Sequence, residues 1–494
     1  MDFATPVAVA VITLAALLAR LALVTSTDFP LGDGGLFYAM VEDLRANRFS
    51  LPAFTSYNDS EIPFAYSPLS FYVAAAMGSI GVSTLDSLRF LPLTVGAAAI
   101  PAFYLFAKAV HMKGSTALIA TSLFAFATSF GWTILGGGLT RTFGIFFGLL
   151  AMYHLYVLTS RDGSLKRVML AGAFVALTLL SHQQLAWTVS VAFGLMLVAL
   201  TPRFSWRSLG PPFAVTIIVL ALTAPWWLSV ISTHGTGPFR AEFAAGSFSP
   251  LRAVVGIVSL VVARRSFPLA FLIALLYLEG RSLEYAWIFG LSLVTGSLLA
   301  DTWALASRRR GPGGGGLRGR PAAMAGLAML TIVWLIPAWS AVEISHSRAG
   351  AHRPAFEWVS ANTPDGSRFI VIGDGRHWSV DFAGEWFPVL ARRENVATVQ
   401  GSEWLRGSEG FHSRVDRHRE MQRCKVLSVE CLDEWQRSAP ASFSHVLIDT
   451  GSCCLRLRKS LETSGKYRLV YEGKHEQIYE VASDQNPRLR AISE

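Results

Sequence analysis

The feature that most constrains this chain is a series of long apolar runs separated by short polar connections. Several of them approach the roughly 20 residues that a helix needs to cross a bilayer. Because backbone polar groups inside a bilayer must bond to each other, such runs predict membrane-spanning helices rather than a soluble globular fold. The sequence predicts eleven spans, at about 6–25, 87–110, 115–132, 142–160, 168–186, 187–201, 211–231, 251–263, 267–279, 285–306 and 322–341.

The first run is expected to be a retained span, since no small-residue cleavage site with a soluble chain follows it. Two later runs, 251–263 and 267–279, are shorter than a usual crossing, and a re-entrant hairpin is the alternative for them. Either arrangement leaves the two ends of the chain on opposite sides of the membrane.

Basic residues set the orientation, because cytoplasmic connections of membrane proteins carry an excess of lysine and arginine. In this chain the basic residues fall in alternate connections. We therefore expect a multi-pass protein of the cytoplasmic membrane whose N-terminus is cytoplasmic, while the 28–69 loop and everything after residue 341 face outward. The connections predicted to be cytoplasmic carry Lys108 and Lys113, Arg161, Lys166 and Arg167, Arg203 and Arg207, Arg264 and Arg265, and Arg308, Arg309, Arg310, Arg318 and Arg320.

The net charge of +9 follows in part from these connections. It indicates topology and contact with anionic membrane lipids rather than nucleic-acid binding, because no basic stripe is interleaved with aromatic residues. The segment 307–320, SRRRGPGGGGLRGR, predicts a flexible cytoplasmic linker. It lacks the GK[ST] ending of a phosphate-binding loop.

After residue 341 the composition becomes mixed, which divides the chain into a membrane domain at 1–341 and a soluble domain at 342–494. Strand and helix patterns alternate in the second part, and about 150 residues can bury a core. We predict an outward-facing α/β domain there. Its strands are expected at 369–372, 396–399, 446–448, 467–471 and 477–481, and its helices near 354–362, 413–423 and 455–464.

All four cysteines lie in this second domain: Cys424, Cys431, Cys453 and Cys454. The clustering favours an oxidising compartment with one or two disulfides, in agreement with the orientation from charge. Zinc is the competing interpretation, and it is disfavoured because no CxxC pair is present and two adjacent cysteines are awkward ligands. Three pairings are possible, and the sequence does not choose among them.

The first loop, within 26–86, contains a tight turn and an amphipathic helix. The turn is Gly32-Asp33-Gly34-Gly35. Asp33 is interpreted either as a helix N-cap or as a catalytic carboxylate, and the two roles are compatible. Glycines on both sides would let a substrate approach the backbone. The helix that follows places apolar residues at helical spacing on one face and polar residues on the other: Phe37, Met40, Val41 and Leu44 against Tyr38, Glu42 and Arg45.

The order of these elements resembles that of the GT-C glycosyltransferases. A first span is followed by the acidic turn LGDGGLFYAMVEDL, the segment SPLSFYVAAAMGSIG and a span that begins SLRFLPL. This order is similar to that of lipid A aminoarabinose transferases and protein O-mannosyltransferases, with Pro68-Leu69, Gly81 and Arg89 at matching places. The turn ILGGGLTRTFG at 134–144 and the start of the soluble domain, Phe356-Glu357-Trp358-Val359, resemble oligosaccharyltransferase catalytic subunits, although their WWDYG signature is absent.

The resemblance implies a polytopic α-helical, GT-C-like fold and a transferase reaction. A hexosyl or pentosyl group would pass, with inversion, from a polyprenyl-phosphate donor in the membrane to an outward acceptor, which is a glycan, lipid or protein. Asp33 matches the acidic residue of the first loop in that family, the general base on the acceptor. Phosphate is a leaving group that needs no general acid.

A leaving phosphate needs positive charge nearby. Arg141 is the first candidate for this role, with an interfacial anchor as its alternative, and Arg89, Arg240 and His182 follow. For His182 a simple turn between two helices is an equal alternative. Residues expected to contact the acceptor, or to shape the loops around it, are Tyr38, Glu42, Tyr66 and Glu242.

The sequence departs from its relatives at the 133–142 turn, which contains no acidic residue. Because a divalent cation needs several oxygen ligands, we expect no cofactor and metal-independent transfer with Arg141 stabilising charge; a bound divalent metal is the less favoured alternative. Tyr66-Ser67 precede Pro68 where some relatives carry a lysine. Two other functions stay open: a polytopic lipid or solute transporter, for which an internal repeat would be expected, and a non-catalytic scaffold in envelope polysaccharide assembly.

Overall fold

The structure is a computed structural model, and it describes most of the chain. Asp33 and the predicted span 322–341 lie outside the described residues, as does most of the linker at 307–320. The described ranges are 4–25, 34–111, 113–127, 138–160, 163–201, 209–243, 250–278, 283–308, 352–373, 375, 377–405, 407–438, 442–451 and 453–482.

The first part of the chain is helical, and a helix forms at ten of the eleven predicted spans. Two further helices, α2 and α3, belong to the first loop together with a two-stranded hairpin, and the short helix α10 follows α9. The elements are α1 (Ala4–Val24), α2 (Gly34–Ala46), β1 (Phe54–Thr55), β2 (Ile62–Pro63), α3 (Leu69–Ser79), α4 (Thr84–His111), α5 (Gly114–Ala125), α6 (Leu139–Ser160), α7 (Leu165–Ser181), α8 (Gln183–Leu200), α9 (Gly210–His234), α10 (Gly237–Phe243), α11 (Pro250–Ala263), α12 (Phe267–Leu278) and α13 (Leu283–Arg308).

Within the described residues, five helices are both long and apolar enough to cross a membrane: Ala4–Ala22, Thr84–His111, Leu139–Ser160, Gln183–Leu200 and Gly210–His234. The chain is therefore a multi-pass membrane protein. The total of eleven spans stays a prediction. The short runs α11 and α12 form a helical hairpin around the amides of Arg265 and Ser266, which donate to the Val262 carbonyl at 2.9 Å.

The interior of the bundle is packed with alanine and phenylalanine from several helices, and the rings of Phe103 and Phe124 stack at 4.2 Å. A charged side chain, Arg20, lies buried inside it. Arg20 of α1 donates to the carbonyls of Gly96 at 3.1 Å and Ala125 at 2.7 Å. Because Ala125 ends α5, and the last carbonyls of a helix have no partner within it, Arg20 caps that helix end inside the bundle.

The second part forms a five-stranded sheet in the order β4-β3-β5-β7-β6. Strand β3 runs parallel to β4 and β5, whereas β7 is antiparallel to β5 and β6. The short apolar runs of β3 and β5 predict their burial at the centre of the sheet. The elements are α14 (Arg353–Asn362), β3 (Arg368–Ile372), α15 (Phe382–Leu390), β4 (Glu394–Asn395), α16 (Gly407–Arg423), α17 (Val429–Ser438), β5 (His445–Asp449), α18 (Leu455–Thr463), β6 (Tyr467–Glu472) and β7 (Glu476–Val481).

The strand predicted at 396–399 is wrong. The chain pairs with β3 only at Glu394 and Asn395 and then turns. The cause is a competing set of side-chain bonds: the Asn395 amide and the Thr398 hydroxyl both donate to the Gly384 carbonyl, at 3.0 and 2.9 Å. These bonds fold the segment under α15 instead of along the sheet.

The four cysteines form two disulfides, Cys424–Cys431 and Cys453–Cys454. The first joins the turn after α16 to α17. A buried ion pair lies elsewhere in the domain, with 3.0 Å between His352 Nδ1 and Glu476 Oε1. Burial alone would lower the pKa of His352, but the hydrogen bond with Glu476 and nearby carboxylates outweigh it and raise the pKa above its usual value.

Candidate functional site

The first loop and the soluble domain share one apolar core, and the start of α2 lies at its centre. A Cβ added at Gly34 would lie 2.2 Å from Cζ2 of Trp386, and one at Gly35 would lie 2.4 Å from the Glu385 carbonyl oxygen. The Gly35 amide donates to the Glu385 carboxylate at 3.1 Å. Helix α15 therefore contacts the first turn of α2 directly.

These contacts correct the role predicted for the two glycines after Asp33. Gly34 and Gly35 leave room for Trp386 and the backbone of Glu385, rather than for a substrate. Glu385 also satisfies one of the amides that lack a partner at a helix start. The residue that immediately precedes this clamped turn in the chain is Asp33.

A second set of contacts holds the loop against the sheet edge. The Tyr57 hydroxyl donates to the Glu385 carbonyl at 2.7 Å. Two hydrogen bonds join Asn58 and Asn395. The side-chain amide of Asn58 donates to the Asn395 carbonyl at 3.1 Å, and the backbone amide of Asn395 donates to Asn58 Oδ1 at 2.8 Å. Asn58 adopts a positive φ of 57°, which asparagine tolerates better than most residues. The loop is thus fixed by side chains that the sequence did not single out.

Tyr38 and Glu42 lie on the predicted polar face of α2, where they line a cavity of about 290 Å³ against the soluble domain. Across the cavity lie Arg392 and Arg393. Glu42 pairs with Arg45 at 2.8 Å and also accepts a short hydrogen bond from Thr84. Burial raises the pKa of the Tyr38 phenol, and the charge of Glu42 raises it further. Two of the predicted acceptor residues therefore share one polar groove.

Tyr66 lies in an aromatic cluster that spans both domains. Its ring centroid is 5.5 Å from that of Phe37 on α2 and 4.9 Å from that of Trp404 in the soluble domain. The neighbouring Ser67 donates to the Leu179 carbonyl near the end of α7 at 2.7 Å. The segment that begins at Pro68 is thus tied to the helix bundle by the residue just before it.

Arg141 and His182, two of the predicted phosphate ligands, lie together at the end of the bundle that meets the soluble domain. Arg141 is in the first turn of α6, and Gly144 lies one turn further along the same helix. A Cβ added at Gly144 would lie 2.8 Å from the Cβ of His182, so the close approach of His182 to α6 requires glycine there. The positive charge of Arg141 acts on the imidazole of His182. His182 also caps α8, with Nδ1 accepting from the Leu185 amide at 3.4 Å. The turn predicted as the alternative for His182 is therefore present, and it lies beside Arg141.

An apolar groove of about 420 Å³ begins beside this pair. Gln183, the neighbour of His182, lines it together with side chains of α7, α8 and α9, and Phe239 of α10 closes one wall. None of these residues is among the site residues predicted from the sequence. The only local signal was the pair Trp226-Trp227 within an otherwise aliphatic span. The groove lining is Val175, Leu179, Gln183, Ala186, Trp187, Ser190, Val219, Leu220, Thr223, Trp226, Trp227, Ile231 and Phe239.

The other predicted residues lie on different helices. Arg89 donates to the Val24 carbonyl at 3.0 Å and lies 3.9 Å from Asp86, so its charge supports the junction of α1 with α4. Arg240 is exposed on α10, and Glu242 lies on the same short helix. In the part of the chain that the structure describes, no group of three or more histidine, cysteine or acidic residues could hold a metal ion.

The arrangement of the helices and the sheet domain is similar to that of several solved structures. ArnT from Cupriavidus metallidurans, solved bound to undecaprenyl phosphate, aligns with a TM-score of 0.57 over 97% of this chain and 99% of that chain, at 13% identity. The Archaeoglobus fulgidus oligosaccharyltransferase, tethered to an acceptor peptide, aligns with a TM-score of 0.51 over 97% and 74% at 14% identity. The chain has the GT-C glycosyltransferase fold.

A third GT-C structure, the arabinofuranosyltransferase AftD from Mycobacteria, aligns with a TM-score of 0.50 at 15% identity over 96% of this chain and 40% of that one. No protein-family model matches the sequence, and no curated protein matches it. In this GT-C fold the Arg141–His182 pair and the apolar groove lie where the helix bundle meets the soluble domain.

Proposed function

We propose that this protein transfers a sugar from a polyprenyl-phosphate donor to an acceptor on the outer side of the cytoplasmic membrane. The observation that carries the proposal is the apolar groove that begins beside Arg141 and His182. An isoprenoid chain would lie in the groove, where its apolar surface is removed from water. Its phosphate would then lie at the arginine. The ArnT structure with undecaprenyl phosphate supports a donor of this kind.

In this proposal Asp33 is the general base. It would take the proton of the acceptor hydroxyl or amide while the acceptor attacks the anomeric carbon and the bond from that carbon to phosphate breaks, with inversion. The clamp of Glu385 and Trp386 on the first turn of α2 supports the role, because a base must be held in a fixed geometry. Arg141 would stabilise the negative charge that develops on the leaving phosphate.

The test is transfer by the purified chain in proteoliposomes, with radiolabelled polyprenyl-phosphate sugars and a crude envelope acceptor. Asp33→Asn should lower transfer by about 10² to 10⁴, the usual contribution of a general base. Asp416→Asn is the matched control, since Asp416 is exposed on α16 and pairs only with the neighbouring Arg419 among described side chains. Equal activity of the two variants would refute the role of Asp33.

Two alternatives give different results in the same assay. A transporter would move the labelled lipid or sugar and leave the glycosidic bond intact. A scaffold would show no transfer by either the parent protein or the Asp33→Asn variant. Arg141→Ala should lower transfer by about 10² or more, with partial recovery in Arg141→Lys, because the point charge returns without the planar fork.

Metal independence is part of the proposal. Arg141, rather than a divalent cation, would provide the positive charge at the leaving phosphate. Transfer should therefore continue in EDTA at the rate measured before chelation. A loss on chelation that Mn²⁺ or Mg²⁺ restores would assign the charge to a metal instead.

A further inference from the structure

A cavity lies at the boundary between the first loop and the soluble domain, away from the apolar groove. Its volume is about 660 Å³, and helix α16 forms one wall with Arg414 and Arg417, one helical turn apart. The opposite wall belongs to the first loop and carries Phe54 and Glu61. The full lining is Phe54, Ser60, Glu61, Pro63, Ser402, Leu405, Gly410, Ser413, Arg414 and Arg417. We call this cavity the arginine groove.

Arg417 is the cation that this groove leaves available. Among the described residues no acidic side chain pairs with its guanidinium, although its carbonyl accepts a hydrogen bond from the Trp435 indole at 2.9 Å. The arginines further along the helix differ, since Arg419 pairs with Asp416 at 2.9 Å. Arg414 and Arg417 also line a second cavity of about 150 Å³ that shares Ser60 with the first. The two side chains therefore line two neighbouring cavities.

The remaining lining has the composition of a carbohydrate site. Phe54 is 47% exposed, and its ring lies edge-on to His234 at 5.0 Å, so one face is held open beside the cavity. Serine hydroxyls and the Glu61 carboxylate can bond to sugar hydroxyls. Guanidinium groups bind carboxylate or phosphate through paired N–H donors. With two arginines against one carboxylate, the side chains of the lining carry a net positive charge.

The position of the groove relates it to the proposed transfer site. Its wall at Ser402 and Leu405 flanks Trp404, whose ring contacts Tyr66, and Tyr66 contacts Phe37 in α2. Helix α10, whose Phe239 forms one wall of the apolar groove, packs against both the Ser402–Trp404 turn and α16. An acceptor in the arginine groove would thus lie across α10 from a donor in the apolar groove.

We propose that the arginine groove binds an anionic glycan acceptor, with Arg417 and Arg414 on its carboxylate or phosphate groups and Phe54 against a sugar ring. This inference rests on the proposed function and names the acceptor class. It favours a glycan over an acidic peptide because an exposed aromatic face and several hydroxyl-bonding groups accompany the arginines. It favours a glycan over a lipid headgroup because the groove has charged and hydroxylated walls, unlike the apolar groove.

The experiment is binding to the full chain in nanodiscs without any donor, measured by calorimetry with four probes. Hexagalacturonate is the acidic glycan, maltohexaose the neutral glycan, hexaglutamate the acidic peptide, and phosphatidylglycerol in the nanodisc the anionic lipid. We expect hexagalacturonate to bind at least tenfold tighter than maltohexaose and hexaglutamate, to bind equally with or without phosphatidylglycerol, and to weaken with salt.

Arg417→Ala should weaken hexagalacturonate binding by about tenfold or more, as expected for the loss of a hydrogen bond to a charged group, and Arg417→Lys should recover part of it. Arg419→Ala on the same helix is the matched control and should change nothing. An unchanged thermal midpoint shows that each variant is folded. Should Arg417→Ala fail to fold, Phe54→Ala is the second variant, with binding expected to weaken while maltohexaose stays weak.

Three results would overturn the inference: equal binding of acidic and neutral glycans, binding of hexaglutamate as tight as that of hexagalacturonate, or competition by phosphatidylglycerol. Failure of this binding leaves the transferase proposal intact, because transfer with an envelope acceptor is measured separately. Conversely, an inactive Asp33→Asn variant should still bind hexagalacturonate, since the proposed contacts come from Arg414, Arg417 and Phe54.

Discussion

Replacing Gly35 with alanine tests the contact between α2 and α15. The new Cβ would lie 2.4 Å from the Glu385 carbonyl oxygen, a backbone atom that cannot turn away. Overpacking of this kind costs about 1 to 3 kcal/mol. If α15 moves back, the 3.1 Å hydrogen bond from the Gly35 amide to the Glu385 carboxylate is also lost, at about 1.5 to 3 kcal/mol.

One effect opposes these losses. Alanine is favoured over glycine inside a helix by about 1 kcal/mol, so the net destabilisation of the contact is roughly 1.5 to 5 kcal/mol. Hydrogen exchange measured by mass spectrometry should show faster exchange in both α2 and α15, and transfer should fall with it. The thermal midpoint should drop, because α2 and α15 both contribute residues to the core shared by the two domains.

Gly194→Ala is the matched control for this substitution. Gly194 lies in α8, and nothing lies within 4 Å of the place of its Cβ. The control should be neutral or slightly stabilising and should leave exchange in α2 unchanged. If Gly35→Ala behaved like Gly194→Ala, the described approach of Glu385 to α2 would be wrong.

Substitutions at three further positions probe the contacts that hold the structure. Arg20→Met should lower the thermal midpoint in detergent, because the Gly96 and Ala125 carbonyls lose their donor at a cost of about 2 to 4 kcal/mol of unfolding free energy. Arg20→Lys should lie closer to the parent protein. Asn58→Ala should cost about 1 to 3 kcal/mol by removing both bonds to Asn395, seen as faster proteolysis of the first loop. The ion pair between His352 and Glu476 should stabilise the fold fully below pH 6.5, and this stabilisation should be lost as pH rises through the higher pKa of His352 in the folded state. The thermal midpoint of His352→Gln should therefore lie further below that of the parent protein at pH 5.5 than at pH 9.

The positions of the long apolar helices could be predicted from the sequence, because the length and composition of each run indicate a membrane-spanning helix without reference to distant residues. The amphipathic face of α2 is confirmed as well, since Phe37, Met40, Val41 and Leu44 are buried while Tyr38 and Glu42 are only partly so. The strands β3, β5, β6 and β7 follow the predicted runs to within one residue. These elements could be predicted because their periodicity is a local property of the sequence and does not depend on contacts between distant residues.

The contacts that build the site could not be predicted, because they join residues far apart in the chain. Nothing near Gly35 indicates that Glu385 will accept its amide hydrogen. The apolar groove is assembled from four helices, and each contributes side chains that also suit plain contact with lipid. Helix α15 has Pro388 inside it and lies outside the helices predicted from the sequence, yet its first turn clamps α2.

The shared core also has a consequence for biosynthesis. Gly35 and Tyr57 bond to Glu385 across 350 and 328 positions of sequence. A ribosome adding about 5 to 20 residues per second needs tens of seconds to make that interval. During this time the first loop exists without the residues that complete it. Its final shape is therefore reached only after the last domain has been synthesised, and truncation of that domain should leave the first loop open to proteases.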